Sequence, residues 1–332
     1  MASLEDRFIQ FFSSWPGAEK IDDIVPFGAF PNRRRADFLL ANRSIIVELK
    51  TLKTDTSPKI DKELDRHRDR DDFPMIYGPV ELQKILQHMP DREDINRRIY
   101  RNVTRSIEDA IRSAEIQVQD TKEILNLPNA IGLTVLLNED IEILSPNIAG
   151  RKVSELLCRT RSDGSIGSLI SFVWCLFESH VAKCESHSPA FPCILIEGPN
   201  AESFTGFDPL FSDLLDGWAR YNNAHLVHST AERLNELSYL NARQQEPKAP
   251  SELTRQEHWE QSYSANPYLR GLRDDDVLIH GAKVFERLTP YFLKGGPCIP
   301  IHQLEPLFAA WSDFLQESRH RGLDLKGLHT QS

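Results

Sequence analysis

The chain has 332 residues, 40% hydrophobic and 27% charged, with a formal net charge of -10, long enough to bury one large core or two ordinary ones. Its mean hydropathy is -0.41, and no run nears the roughly 20 apolar residues of a membrane span; the composition is that of a soluble globular protein, and the acidic balance counts against a general nucleic-acid binder. The five cysteines form no CxxC pair and the acidic start, Met1 to Arg7, lacks a signal-peptide profile, so reduced thiols in a cytoplasmic protein are expected.

In chain order, residues 4–15 predict a helix stopped by Pro16-Gly17, and residues 19–27 a first strand. Residues 36–40 and 44–52 follow as two strands around Ala41-Asn42-Arg43-Ser44. Residues 54–72 are highly charged and predict a solvated excursion or surface helix, with a short helix at 80–87. Residues 94–119 form the most regular helix. Ile95, Ile99, Val103, Ile107, Ile111, Ala114 and Val118 make one apolar stripe, and Arg97, Arg98, Arg101, Arg105 and Arg112 fall opposite. The continuous apolar run 131–137 suits a buried strand.

Further on, the expected elements are a helix at 150–159, a strand or buried helix at 166–177, a strand at 191–198, a helix at 209–222 and a last strand at 224–228. Residues 241–256 are polar and twice interrupted by proline, a linker candidate. Residues 257–332 predict a helical subdomain, leaving 1–240 as the main domain. Cys175, His180, Cys184, His187 and Cys193 match no compact zinc spacing and read as core and loop residues.

The chemistry concentrates in the hairpin. With Asn42-Arg43 as a two-residue loop, paired positions sum to 85 and Asp37 lies opposite Glu48. Ile46, Glu48 and Lys50 share one face, Ile45, Val47 and Leu49 the other. Opposed residues hold their Cβ atoms roughly 4.5–5.5 Å apart, so two carboxylates placed there repel unless a cation compensates them. A hard divalent cation is the simplest compensation, and its bound water can become a nucleophile.

Asp37, ten residues, then Glu48-Leu49-Lys50 resembles the signature of the PD-(D/E)XK nuclease superfamily, although Ala36 stands where the family name has proline. The order helix, three strands, helix, strand is also that family's αβββαβ core. The resemblance implies an α/β, restriction-endonuclease-like fold with an extended mixed sheet and a helical C-terminal region. It implies Asp37, Glu48 and the Leu49 backbone carbonyl as ligands of Mg²⁺, which Mn²⁺ can replace, and Lys50 as the residue that orients or activates the attacking water. A third acid often completes such a site. Glu5 is the first choice, with Glu19 and Asp22 as alternatives.

The expected activity is endonucleolytic hydrolysis of phosphodiester bonds, in DNA more than RNA. A homodimer would cut both strands, and restriction or other defence against foreign DNA is the role implied. Residues 31–120 carry 18 basic and 17 acidic side chains, the least acidic part of the chain. Arg33, Arg34 and Arg35, together with Arg97, Arg101 and Arg105, are therefore candidate phosphate contacts. The competing expectation is a non-catalytic nucleic-acid-binding or regulatory protein on a degenerate copy of the same fold, which the acidic net charge favours.

Overall fold

The computed structural model describes residues 2–26, 28–160, 164, 166–182, 190–204, 207–227, 239–242, 254–293 and 300–329. The chain divides into two compact units, one of residues 1–58 and 101–246, the other of residues 59–100 and 247–332.

The first unit is α/β. Helix α1 (Leu4–Ser14) is capped by Ser3, whose side chain accepts the Asp6 N–H. It leads to β1 (Glu19–Lys20), the single-turn helix α2 (Ile21–Ile24), β2 (Phe38–Leu40) and β3 (Ile45–Thr51). The first strand is far shorter than residues 19–27 predict. The Ile21 N–H still bonds the Asp37 carbonyl, but the Val25 N–H folds back to the Ile21 carbonyl, and Asp22 and Asp23 occupy the first turn, where acids are favoured.

The hairpin is as read from sequence. Phe38, Leu39 and Leu40 pair with Val47, Ile46 and Ile45. The Ser44 N–H bonds the Ala41 carbonyl, and Asn42 and Arg43 both take positive φ. That is the type I′ geometry that matches strand twist.

Helices α3 (Ser57–Asp65) and α4 (Leu82–Leu86) precede α5 (Arg92–Leu125), which outruns its predicted span at both ends. Its apolar stripe is buried throughout. There follow β4 (Ile131–Asn138), α6 (Pro146–Leu157), β5 (Ile170–Phe177), β6 (His180–Ala182), β7 (Cys193–Glu197), α7 (Phe207–Tyr221) and β8 (Tyr239–Asn241). α6 begins earlier than predicted because Ser145 caps it and Pro146 opens its first turn. Residues 224–227 are not a strand, and the remaining residue of that expected element, 228, lies outside the described residues.

The six-stranded mixed sheet runs β1-β2-β3-β4-β5-β7, with β3, β4 and β5 parallel and β2 and β7 antiparallel to their neighbours. β6 and β8 form a separate pair. One face of the large sheet buries Ile45, Val47, Leu49, Leu133, Val135, Phe172 and Trp174 against Phe8, Phe11 and Phe12 of α1 and Phe211 and Leu214 of α7. The other face carries Ile46, Glu48 and Lys50. α5 packs there, so closely at Gly132 that an added Cβ would lie 3.2 Å from Val118 Cγ1.

The second unit is helical: α3 from Lys59, α4, the start of α5, α8 (Arg255–Ala265), α9 (Asp274–Phe292) and α10 (Ile301–Arg321). A capping box between Thr254 and Glu257 starts α8. Residues 59–100 belong here rather than with residues 1–58, because their backbone is tied to the C-terminal segment. The Leu325 N–H donates to the Met75 carbonyl at 2.8 Å, and the Met75 N–H donates to Asp324 Oδ1 at 2.9 Å. Gly322 ends α10 at φ 69°, where a Cβ would collide with Lys84. The expected linker lies largely outside the described residues. No helix among those described is long and apolar enough to cross a membrane.

Candidate metal and nuclease site

Strand β3 delivers Glu48 and Lys50 to the face under α5, and the segment entering β2 delivers Asp37 opposite. The Asp37 N–H bonds the Val47 carbonyl at 3.0 Å, and Asp37 Oδ2 accepts the Leu49 N–H at 2.7 Å. A strand residue projects its N–H and C=O to the same edge, so the Leu49 carbonyl is turned toward the Asp37 side as well. Lys50 Nζ lies 2.6 Å from Glu48 Oε1 and donates to Gln117 Oε1 of α5 at 2.5 Å. Asp37, Glu48, Leu49 and Lys50 are therefore brought together.

The electrostatics are strained. Glu48 is 2% exposed. Burial and the neighbouring Asp37 charge push its carboxyl up to about 8, against the pull of Lys50. Asp37 is raised as well, first by burial, with the Leu49 N–H, Glu48 and Lys50 opposing and Asp22 adding like charge. Counted as carboxylates, the pair leaves Glu48 Oε2 buried without a donor. The two groups lie within hydrogen-bonding reach of each other, which is favourable when they share one proton. Thr134, paired with Glu48 across the β3–β4 ladder, likewise buries its Oγ1 without a partner.

These orphaned oxygens fit a hard cation. Among the described residues no group of three or more His, Cys, Asp and Glu side chains could hold a metal ion. The donors that Asp37, Glu48 and the Leu49 carbonyl could offer a cation are two carboxylates and one backbone carbonyl, a set that would leave most of the coordination of an ion such as Mg²⁺ to water.

The third-acid candidates separate. Glu5 is engaged by Lys53 at 2.9 Å, and that contact lowers its pKa. Glu19 forms a two-point ion pair with Arg43, at 2.9 and 2.6 Å. Asp22, paired with Arg35 at 3.1 Å, is the one whose charge reaches Asp37.

The arginines are largely engaged by acids of their own unit. Arg33 pairs with Asp120 and Glu123, and Arg35 donates to the Val25 carbonyl at 2.6 Å. The Arg34 main-chain N–H bonds Asp120 Oδ2 at 2.9 Å. On α5, Arg97 pairs with Asp94 at 3.3 Å, and Arg105 lies 3.9 Å from Asp109. Arg97, Arg101 and Arg105 are exposed, as expected. At 3.6 residues per turn, however, Arg101 and Arg105 lie roughly 160° and 120° round the helix from Gln117, so they do not extend the carboxylate face.

Gln117 is the site residue that sequence reading missed. It is one polar residue among many on a long helix, and its spacing carries no signal. Cys175 is buried, with its thiol pushed well above the ordinary range, and Cys193 accepts from Trp174 Nε1 at 2.8 Å; Cys184 and His187 lie outside the described residues.

No protein-family model matches the chain, and the comparisons with curated proteins and with solved structures found no match.

Proposed function

We propose that the protein is a divalent-metal-dependent nuclease that hydrolyses phosphodiester bonds, with DNA as the first substrate to test and RNA as the second. One observation carries this reading. Asp37, Glu48 and Lys50 converge beneath α5, with a buried Glu48 oxygen left without a partner. A purely structural hairpin gains little from burying that trio, since taking two carboxylates and one ammonium out of water costs desolvation that a single ion pair does not repay. The order α1, β1, β2, β3, α5, β4 around these residues, with the single-turn α2 and the short α3 and α4 interposed, is compatible with a restriction-endonuclease-like core.

In this reading Asp37, Glu48 and the Leu49 carbonyl hold Mg²⁺ or Mn²⁺, which supplies charge neutralisation at the phosphate and a bound water of lowered pKa. Asp37 is aimed by the Leu49 N–H, and Glu48 contributes the oxygen that has no donor. Lys50 has three donors. Two face Glu48 and Gln117, and the third can hold the attacking water against the phosphate. Arg101 and Arg105, exposed on α5 away from the carboxylate side, hold the nucleic-acid backbone outside the cleavage point. One such site cuts one strand, so duplex cleavage calls for a second copy of the chain, and restriction or another defence against foreign DNA is the role proposed.

The second reading is a non-catalytic, nucleic-acid-binding or regulatory protein on the same scaffold. What favours it is the internal pairing of Arg33, Arg97 and Arg105 with acidic neighbours, together with the net charge of -10. Incubation with plasmid DNA, single-stranded DNA and RNA, in Mg²⁺, Mn²⁺ and EDTA, separates the two. Metal-dependent cleavage lost in Asp37→Ala and Lys50→Ala supports the enzyme. Binding without cleavage under every condition supports the alternative.

A further inference from the structure

The last turns of α5 present Gln117, Asp120 and Thr121, at i, i+3 and i+4 and hence on one side of the helix. All three grip the stretch that leads into Asp37. Asp120 Oδ2 accepts the Arg34 N–H at 2.9 Å, and Thr121 Oγ1 accepts the Ala36 N–H at 2.9 Å. Gln117 Nε2 donates to the Arg35 carbonyl at 2.9 Å. The same carboxamide accepts Lys50 Nζ through Oε1 at 2.5 Å and Ser113 Oγ at 3.1 Å. Its orientation is dictated by the partners, because the ammonium only donates and the carbonyl only accepts.

We infer that Gln117 is a positioning residue of the proposed nuclease: its carboxamide ties the Lys50 ammonium to the Arg35 carbonyl, two residues before Asp37, so that a strand residue and the segment entering β2 are held as one unit by the helix. The inference rests on the nuclease reading and adds to it the element that sets the reacting geometry. A lysine stem is flexible and its ammonium rotates freely. Glu48 and Gln117 together occupy two of its donors and thereby direct the third. Asp120 and Thr121 fix the backbone on which Asp37 is mounted, so that the Gln117 amide links two parts that are otherwise separately anchored.

The test compares wild type with Q117M, which keeps length and volume but can neither accept from Lys50 nor donate to Arg35. Outer partners of this kind typically change activity about 10- to 100-fold. kcat on the best DNA substrate is expected to fall by that factor, while KM stays within twofold. A second readout needs no turnover. In protein with ¹³Cε-labelled lysine, the Lys50 Cε resonance, assigned by its absence in K50R, is expected to move in Q117M. Unchanged kcat overturns the inference, as does a loss of kcat with an unmoved Lys50 resonance, since the loss then does not run through Lys50. A wild type that cuts no nucleic acid overturns the nuclease reading and this inference with it. A wild type that cuts while Q117M cuts equally well overturns this inference alone. If Q117M melts early, Q117E takes its place: it keeps an acceptor for Lys50 without a donor for Arg35, and a smaller fall in kcat is expected.

Discussion

Asp37 Oδ2 accepts the main-chain N–H of Leu49 at 2.7 Å, so the side chain entering one strand is held by the backbone of the next. That bond makes the carboxylate's position a consequence of strand register: slipping β3 by one residue would withdraw Leu49 N–H and turn Glu48 to the other face. It also separates two effects of replacing Asp37. Asp37→Asn keeps an acceptor for Leu49 and removes a buried charge facing Glu48. It should abolish cleavage through loss of metal yet raise the metal-free melting temperature at pH 8 by about 2–4 °C for each kcal/mol of relieved repulsion. A thermal melt in EDTA reads this directly, and a lowered melting temperature would show that Asp37 contributes more as a charge than as an acceptor.

Metal should reverse the order of those melts. Mg²⁺ or Mn²⁺ bound only by the folded state stabilises wild type by about 2.7 kcal/mol at 100 times the dissociation constant. Asp37→Ala should show no such shift. Equal shifts in both proteins would place the ion elsewhere.

The Glu48 carboxyl is raised from 4.5 to about 8, with burial the largest cause. For an acid raised on folding, the favourable contribution is complete below the unfolded value of 4.5 and is lost as pH rises through the folded value. Wild type in EDTA should therefore lose stability between about pH 4.5 and 8 relative to Glu48→Gln, which has no titrating group at position 48. Urea midpoints of the two proteins at several pH values test it, and parallel profiles would remove Glu48 from the account.

Arg101 and Arg105 lie away from the carboxylate side of α5 and are exposed. If they hold backbone phosphates outside the cleavage point, alanine at both should leave kcat unchanged. It should weaken binding to all sequences alike and lower the salt slope by about 1 for each phosphate no longer neutralised. Identical slopes would return them to the role of a solvated helix face.

In the helical unit, Glu317 is 0% exposed and accepts from Tyr263 OH at 2.6 Å, Arg321 Nε at 2.6 Å and Arg270 Nε at 3.2 Å. Glu317→Ala leaves those donors facing one another without their acceptor. It should destabilise this unit by about 3 kcal/mol, visible in urea unfolding, whereas Glu317→Gln, which keeps one acceptor oxygen, should destabilise it less.

The hairpin, its register, the α5 stripe and the meeting of Asp37, Glu48 and Lys50 were legible from the sequence because each depends on neighbours a few positions apart. Alternation decides strand faces, three- and four-residue spacing decides helix faces, and Asn42-Arg43 in left-handed backbone decides the pairing sum of the hairpin. What required the tertiary structure is what joins distant positions. Gln117 meets Lys50 from 67 residues away, and Leu325 meets Met75, which draws residues 59–100 into the helical unit. The partners of the candidate acids were of the same kind. Glu5, Glu19 and Asp22 are alike as residues, and only the placement of Lys53, Arg43 and Arg35 engages the first two elsewhere and leaves Asp22 near Asp37. A local pattern states which side of an element is buried; it carries no term for which distant element covers it, and at this site the covering helix supplies the partner of the lysine.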